Sequence, residues 1–242
     1  MQTGFPTFDK NISEIKHGEL VAFVERPAMG VDLLLNQLCF RMGENYKICF
    51  FKFLTCKEYY PIPKFDEEYT VSVDNRILDF SEIMLVCTKK KLEEGLDIVI
   101  INDLHLLRTC SGYTIDKLLW LLKKMAQVLQ IAIIIHTYFR PLRNKSKSTF
   151  PTMDDLKEYE LIKYADKIIS LYRPDVMSAA KDLEVYIKDG KYELRISPLK
   201  DSGFGNSFKL YMGIENHLIY DKLDDEDFTL FEHHFFYDCL KK

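Results

Sequence analysis

Apolar and polar residues follow two different patterns along this chain. Up to about residue 170, short apolar runs are followed by stretches whose apolar residues recur every three or four positions. Such runs are typical of strands that are buried on both faces, and the three-to-four spacing is typical of helices that pack by one side. Strands that alternate with helices predict a mostly parallel sheet with right-handed crossovers.

The expected elements follow the chain in order. Strands are predicted at 20–24, 46–54, 96–101, 131–135 and 167–172, and helices at 31–44, 78–94, 115–129 and 154–164. Residues 3–19 are a short lead-in to the first strand. After residue 170, alternating segments at 183–188, 192–197 and 207–212 predict antiparallel strands. The predicted fold class is α/β, a mostly parallel central sheet flanked by helices with antiparallel C-terminal strands.

The sequence predicts one core domain, residues 1–222, and a C-terminal helical tail, residues 223–242. In the tail, Phe228, Phe231, Phe235 and Cys239 are spaced by three and four and form an apolar stripe. We expect the tail to pack against the core domain. A helix that binds a partner is the alternative.

Composition and charge limit the possible classes of function. The 242 residues have a formal net charge of -4, so any contact with nucleic acid requires a local basic patch. No apolar run approaches the roughly 20 residues that span a membrane, and the N-terminus lacks the features of a signal peptide. The six cysteines are scattered without a C-x-x-C pair, which indicates reduced thiols in a cytoplasmic protein.

The stretch E-R-P-A-M-G-V-D, residues 25–32, connects the first strand to the first helix. A strand, a glycine loop and a helix form the layout of a P-loop, whose backbone amides bind phosphate. A working loop ends in Gly-Lys-Ser/Thr, because the lysine neutralises the phosphates and the hydroxyl holds magnesium. Val31 and Asp32 occupy these two positions. The sequence therefore indicates an ATPase architecture without two of its central groups.

Five motifs along the chain carry a family resemblance. They are T-G-F-P-T-F-D-K with G-E-L-V-A-F in 3–23, R-P-A-M-G at 26–30, I-V-I-I-N-D-L-H-L-L at 98–107, D-L-K-E at 155–158, and A-D-K-I-I-S-L-Y-R at 165–173. In this order, they resemble the motor domain of the DnaB-type replicative helicases, which has a RecA-like fold. The resemblance covers residues 3 to about 220 and implies that fold for this chain.

Departures from the family pattern fall on the residues that would perform the chemistry. Val31 and Asp32 stand where the resemblance implies the phosphate-binding lysine and the magnesium-holding hydroxyl. Leu54 stands where the family has its water-activating glutamate, and leucine cannot act as a base. Asn102 replaces the aspartate that orients magnesium, which keeps the shape of that side chain without its charge.

Two further departures concern coupling to DNA and to a neighbouring subunit. Residues 136–140, H-T-Y-F-R, replace a family segment whose glutamine is expected to couple nucleotide and DNA. Lys200 is the one cation left at the place of the trans-acting K-x-R of the family. Together the departures predict a pseudo-ATPase with no catalytic residue and no metal site.

The residues that remain in the loop allow two interpretations. Arg26, Pro27 and Gly30 form an anion-binding turn in the first, because backbone amides at a helix N-terminus attract negative charge. In the second, Gly30 only permits a tight turn and Arg26 is a surface charge.

Two histidines follow neighbouring predicted strands. His105 and His136 are expected near the carboxyl edge of the sheet, the edge at which the parallel strands end. We expect a satisfied polar pair there. A metal site would need a third ligand such as Asp103.

A basic segment follows the fourth predicted strand. Its cations are Arg140, Arg143, Lys145 and Lys147, with no acidic residue between them. The segment lies where the helicase family has its DNA-facing loop, and lysine and arginine suit contacts to phosphates. A solvated charged loop is the alternative.

Two functions compete. In the first, the chain is a DNA-binding or assembly module in replication that docks on single-stranded DNA, on a helicase ring or on copies of itself, without a cofactor. In the second, it is an ATP-dependent DNA helicase or translocase that uses ATP and magnesium through a divergent nucleotide site.

Overall fold

A computed structural model describes residues 1–53, 71–74, 76, 78–139, 152–156, 160–177, 187–188, 191–200, 206–213 and 218–222. The predictions for Leu54, for the basic segment 140–147 and for the tail 223–242 lie outside these residues.

The described residues form one sheet of ten strands. The strands are β1 Leu20–Glu25, β2 Ile48–Phe51, β3 Val71–Asp74, β4 Ile98–Ile101, β5 Ala132–Tyr138, β6 Lys167–Tyr172, β7 Ile187–Lys188, β8 Lys191–Lys200, β9 Phe208–Gly213 and β10 Ile219–Tyr220. Their order is β10-β9-β8-β6-β1-β5-β4-β2-β3, and β7 pairs with β8. Strands β1 to β6 are parallel, while β7 to β10 add to them in antiparallel pairs. The predicted sheet is confirmed.

Helices connect and cover these strands. They are α1 Pro6–Asn11, α2 Val31–Gly43, α3 Phe80–Glu94, α4 Leu104–Ser111, α5 Ile115–Leu129, α6 Leu161–Tyr164 and α7 Pro174–Met177, with a 3-10 turn at Met153–Leu156. Side-chain capping fixes the starts of α3 and α5. Asp79 and Glu82 form a reciprocal capping box at α3, and the Thr114 hydroxyl accepts the Lys117 N–H at α5.

The core lies in two layers, one on each face of the sheet. In the first layer, α1 and α2 pack on the sheet through residues such as Phe8 and Leu34. In the second, α3, α4 and α5 pack through residues such as Ile83, Leu107 and Leu122. The free thiols of Cys39, Cys49 and Cys87 are buried in these layers, as the scattered cysteines predict.

Several short elements were not predicted. The lead-in contains α1, and α4, α7 and β10 also lack a sequence prediction. These elements are two to eight residues long, too short for a periodic pattern to stand out. The helix predicted over 154–164 is wrong in part, because the described residues there form a 3-10 turn and the separate α6. No described helix is long and apolar enough to cross a membrane.

Strand register brings the ends of three strands together at the carboxyl edge. Glu25 at the end of β1 is level with Tyr138 of β5, and Ile101 of β4 is level with Ile135. Asn102, directly after β4, is therefore adjacent to His136. The loop 26–30 begins at the same edge, so residues far apart in sequence meet beside it.

Candidate functional site

The loop between β1 and α2 has a left-handed backbone at two positions. Ala28 has a φ of 69° and Gly30 a φ of 97°, and α2 begins directly after Gly30. No atom of the described residues lies within 4 Å of the position that a Cβ of Gly30 would take, so among them only the φ angle disfavours another residue there. Gly30 thus lies in the predicted tight turn, and Pro27 is exposed in the same loop.

A side chain of the protein itself accepts the hydrogen bond of the first backbone amide of α2. The backbone N–H of Val31 donates to Glu25 Oε2 at 2.9 Å, and the Glu25 side chain is only 4% exposed. Free amides at a helix N-terminus attract anions, because the helix dipole and the unpaired N–H groups act together. An internal carboxylate fills this place here. Sequence analysis did not identify Glu25 as a site residue.

The second oxygen of the same carboxylate faces a buried histidine. His136 Nε2 lies 3.2 Å from Glu25 Oε1, and the His136 side chain is fully buried. Its Nδ1 atom lies 2.7 Å from the carbonyl oxygen of Asn102. Because a carbonyl oxygen only accepts hydrogen bonds, Nδ1 carries a proton. The imidazole thus bridges the ends of β1 and β4 from its place on β5.

Two carboxylates hold a positive charge on this histidine. Asp32 Oδ1 lies 3.6 Å from His136 Nδ1. Burial by itself lowers the pKa of His136, but the contacts with Asp32 and Glu25 outweigh burial and raise it to about 10. The ring is therefore an imidazolium at neutral pH. We call Glu25, His136 and Asp32 the ion cluster.

Asp32 and Val31 take structural roles at the positions of the missing P-loop groups. The Asp32 side chain is half exposed, yet its Oδ1 atom is buried and faces the imidazolium. The Val31 side chain is fully buried and belongs to the first core layer. Position 31 therefore contributes apolar packing, and the carboxylate of position 32 is compensated within the protein.

Asn102 holds the neighbouring strand in place. Its Oδ1 atom accepts the backbone N–H of Phe53 at 2.8 Å, and its Nδ2 atom lies 3.5 Å from the Phe53 carbonyl oxygen. The side chain extends the pairing of β4 with the segment after β2. This use of the amide explains why an asparagine fits the position well.

Arg26 is a buried cation, so the interpretation that it is a surface charge is wrong. The residue is 8% exposed, and its guanidinium lies 5.6 Å from the ring centroid of Phe139 and 3.7 Å from Asp155 Oδ1. Its Nε and Nη2 atoms have no hydrogen-bond partner among the residues that the structure describes. The guanidinium of Arg26, the cation of the loop, thus has two nitrogen atoms whose hydrogen bonds are not satisfied by the described residues.

Lys200 lies away from the loop. Its Nζ atom donates to the carbonyl oxygens of Ile162 and Ala165, at 2.9 and 2.5 Å. Lys200 pairs with Ile168 at the start of β6, and that strand runs parallel to β1. The lysine therefore lies toward the amino edge of the sheet, where it caps backbone carbonyls.

The two histidines do not form the expected polar pair. His105 lies in α4, and its Nε2 atom is 3.1 Å from Thr137 Oγ1, while His136 belongs to the ion cluster. Burial is the main reason that the pKa of His105 is lowered. Tyr138 lies between them, with ring centroids 6.4 Å from His105 and 4.7 Å from His136.

These contacts do not fit a bound magnesium–triphosphate. The Val31 amide is used by Glu25, Asp32 faces His136, and position 31 offers no ammonium group. Within the described part of the chain, no group of three or more His, Cys, Asp or Glu residues is arranged to hold a metal ion.

Two solved structures share this fold. A DnaB-like replicative helicase, solved with attention to its interactions with primase, aligns with 90% of this chain at a TM-score of 0.71 and 17% identity. This chain spans 62% of the length of that protein. A solved ATPase domain aligns over 90% of both chains at a TM-score of 0.73 and 18% identity. A comparison with curated proteins found no match.

The sequence gives the family directly. The sequence pattern of the DnaB-like helicase C-terminal domain matches residues 62–200, which is more than half of the chain. The two solved structures agree with it, because both carry the RecA-like sheet described above. The chain therefore belongs to the family of DnaB-like helicase C-terminal domains.

Proposed function

We propose that this protein is a DnaB-like helicase domain that has lost ATP hydrolysis and serves in replication as a binding or assembly module. One observation carries the proposal. The Glu25 carboxylate accepts the hydrogen bond of the Val31 amide, the group that would otherwise meet a phosphate. The cluster that holds Glu25 there is buried and compensates its charge internally.

The residues at the positions of the phosphoryl-transfer groups also support a loss of ATP hydrolysis. Catalysis of this reaction depends on positioning and on cations that neutralise the phosphates. Val31 supplies no charge, and losing one charge-assisted phosphate contact costs about 1.5–3 kcal/mol in binding. Leu54 and Asn102 cannot act as the base or as the charged magnesium-orienting group. A triphosphate would also have to displace Glu25 from its amide.

An ATP-dependent helicase or translocase is the second candidate, and Arg26 is the observation that favours it. Within the described part of the chain, its Nε and Nη2 atoms lack hydrogen-bond partners, and it lies in the glycine loop. A phosphate group could satisfy these donors. This candidate requires ATP and magnesium to bind at a divergent site.

A steady-state assay of phosphate release distinguishes the two candidates. We expect no ATP hydrolysis above background, with or without single-stranded DNA. The Gly30→Asp variant is the matched control, because a carboxylate in the loop repels phosphate. DNA-stimulated turnover that this substitution abolishes would refute the loss of hydrolysis.

The partners proposed for the module follow from the family. The DnaB-like helicase described above interacts with primase, and for this chain we propose a helicase ring or further copies of itself. Single-stranded DNA is a further proposed partner, through Arg140, Arg143, Lys145 and Lys147. The proposed location is the cytoplasm.

A further inference from the structure

The exposed apolar side chains of the described residues are concentrated on two helices. Four of the five large ones lie on α3 and α5: Leu85 at 72% exposed, Leu92 at 82%, Trp120 at 44% and Val128 at 71%. Single exposed apolar residues are common on protein surfaces, but several on neighbouring helices mark an interaction site.

The two helices share one side of the molecule. Both α3 and α5 pack against the second core layer, and they contact each other. Leu85 and Leu92 are seven residues apart, and Trp120 and Val128 are eight apart, so each pair lies on one side of its helix. We call these four residues the α3–α5 face.

Positive charge accompanies the apolar residues on α5. Lys117 and Lys124 are exposed and lie three residues before and four residues after Trp120, on the same side of the helix. Neither forms a salt bridge with any described residue, although Lys117 Nζ lies over the Tyr113 ring and Lys124 Nζ lies 3.5 Å from Gln127 Oε1.

Two of the three lysines of α3, in contrast, are paired within their own helix, and the third, Lys91, donates to the carbonyl oxygens of Leu96 and Gln130. Lys89 lies 3.9 Å from Glu93, and Lys90 lies 3.2 Å from Glu94. The uncompensated charge of the face is therefore the positive charge on α5, and a ligand for this face should combine apolar side chains with carboxylates.

The chain itself contains a segment with this chemistry. Residues 224–240 include six acidic residues and no lysine or arginine: Asp224, Asp225, Glu226, Asp227, Glu232 and Asp238. The same segment has the apolar stripe Phe228, Phe231, Phe235 and Cys239. Aromatic side chains are the preferred anchors of protein interfaces.

We propose that the α3–α5 face binds the acidic segment 224–240 of a second copy of this chain. The stripe of phenylalanines covers Trp120 and the exposed leucines, and the carboxylates pair with Lys117 and Lys124. The inference rests on the assembly role proposed above and names its surface and its ligand.

The position of β10 favours a second copy over the same chain. After β10, Asp221 accepts hydrogen bonds from the Thr7 N–H and hydroxyl at the start of α1, at 2.8 and 2.7 Å. Helix α1 belongs to the first core layer, on the face opposite to α3 and α5. Residue Asp221, just before the acidic segment, therefore contacts the face of the sheet opposite to the α3–α5 face.

The distance across the sheet also limits how the segment of the same chain could cover the face. Helix α5 packs over β1 and β5. Strand β1 lies four interstrand spacings from β10, a distance of about 19 Å. The path around the edge of the sheet adds to this distance. Phe228 is six residues beyond Lys222, a reach of about 20 Å at full extension. Phe228 of the same chain thus falls short of Trp120, whereas the whole stripe of a second copy, Phe228 included, can lie along the face.

Fluorescence tests the proposal on the full chain, because Trp120 is its only tryptophan. A synthetic peptide of residues 223–242, which contains no tryptophan, is titrated into the protein. We expect a saturable blue shift of the emission that weakens as salt increases. Reversing the charge of the face with Lys117→Glu and Lys124→Glu should raise the peptide Kd about tenfold or more.

Three controls keep the result specific. Lys10→Glu and Lys16→Glu, two exposed lysines of the N-terminal region, should leave the peptide Kd unchanged. A peptide with Phe231→Asp and Phe235→Asp should not bind, and this control does not depend on the folding of a variant protein. Sedimentation should show self-association of the unaltered chain and a monomer for the Lys117→Glu, Lys124→Glu variant.

Several outcomes would overturn the proposal. They are the absence of a shift, equal binding of a scrambled peptide, an equal shift with an oligo-dT strand, and a monomer whose Trp120 emission is already blue-shifted at nanomolar concentration. The last outcome would assign the segment to its own chain. ATP hydrolysis by a protein that still binds the peptide would refute only the proposed loss of activity, so the two proposals fail separately.

Discussion

The Glu25 carboxylate and the Val31 backbone N–H form a 2.9 Å hydrogen bond at the start of α2. The bond places a buried anion of the protein where the loop geometry would otherwise attract an external one. His136 faces the other oxygen of that carboxylate, and Asp32 faces His136 in turn, so the charges of the ion cluster alternate. Val31 and Asp32, at the positions of the P-loop lysine and hydroxyl, are thus accompanied by a set of contacts that uses the same backbone.

The ion cluster should contribute strongly to stability. Glu25→Ala leaves the His136 imidazolium buried without its closest carboxylate, and breaking a buried pair in this way costs about 3–5 kcal/mol. Urea unfolding measures this loss. The Glu25→Ala, His136→Ala double variant should lose less than the sum of the two single variants, because the unpaired charge is gone.

A surface pair provides the control for this experiment. Lys163 and Asp116 are 3.3 Å apart and well exposed, so Lys163→Ala should have a far smaller effect than Glu25→Ala. Equal losses for the two variants would contradict the importance of the buried cluster.

Stability should depend on pH through His136. Its pKa is raised from 6.5 to about 10 in the folded protein, so the folded state holds the proton more tightly than the unfolded chain. The stabilisation is complete below pH 6.5 and is lost as the pH rises through 10. Between pH 7.0 and 8.5, the difference in unfolding free energy between the unaltered protein and His136→Gln should shrink by up to about 1.4 kcal/mol per pH unit. A difference that stays constant over this range would show that the ring is neutral.

Substitutions at the two left-handed positions of the glycine loop should change the stability of the protein in opposite directions. Gly30→Ala places a Cβ at a φ of 97°, where none of the described residues crowds it, so the cost is the backbone term of about 1–2 kcal/mol. Ala28→Gly removes such a term at a φ of 69° and should be neutral or slightly stabilising. Thermal unfolding of both variants measures the effect. A destabilised Ala28→Gly would contradict the strain at that position.

DNA binding, if retained, should reside in the basic segment. Its four cations are Arg140, Arg143, Lys145 and Lys147. Contacts from these cations to phosphates are independent of the DNA sequence, and the affinity falls steeply with salt. Each cation contributes roughly one unit to the slope of log affinity against log salt concentration. Single-stranded DNA is titrated at two salt concentrations against the unaltered protein and the variant with all four replaced by alanine. Equal affinities, or no binding by either protein at low salt, would leave this segment as solvated surface.

Much of the fold was predictable because its main elements are long and regular. Helix α5 and strand β6 have the predicted bounds, 115–129 and 167–172, since uninterrupted periodicity and apolar runs define them. The shorter α4 depends on the Asp103 cap and α1 on packing, and these leave little trace in the pattern.

The candidate site was predictable only where a motif specified it. The P-loop layout directed attention to Val31 and Asp32, whereas the role of Glu25, the first residue of the same stretch, comes from tertiary contacts. His136 is 111 positions from Glu25 along the chain, and only the pairing of β5 with β1 brings them together. A single sequence records that both residues are present, but it does not record the register that joins them.

Nucleotide binding is the most direct test of the central claim that Glu25 has taken the place of the phosphate. A fluorescent ATP analogue is titrated into the protein with and without magnesium, and the Gly30→Asp variant serves as the control. We predict no saturable, magnesium-dependent change in fluorescence, and identical curves for the two proteins. Saturable binding that requires magnesium and disappears in Gly30→Asp would show that the triphosphate displaces Glu25, and would contradict the claim.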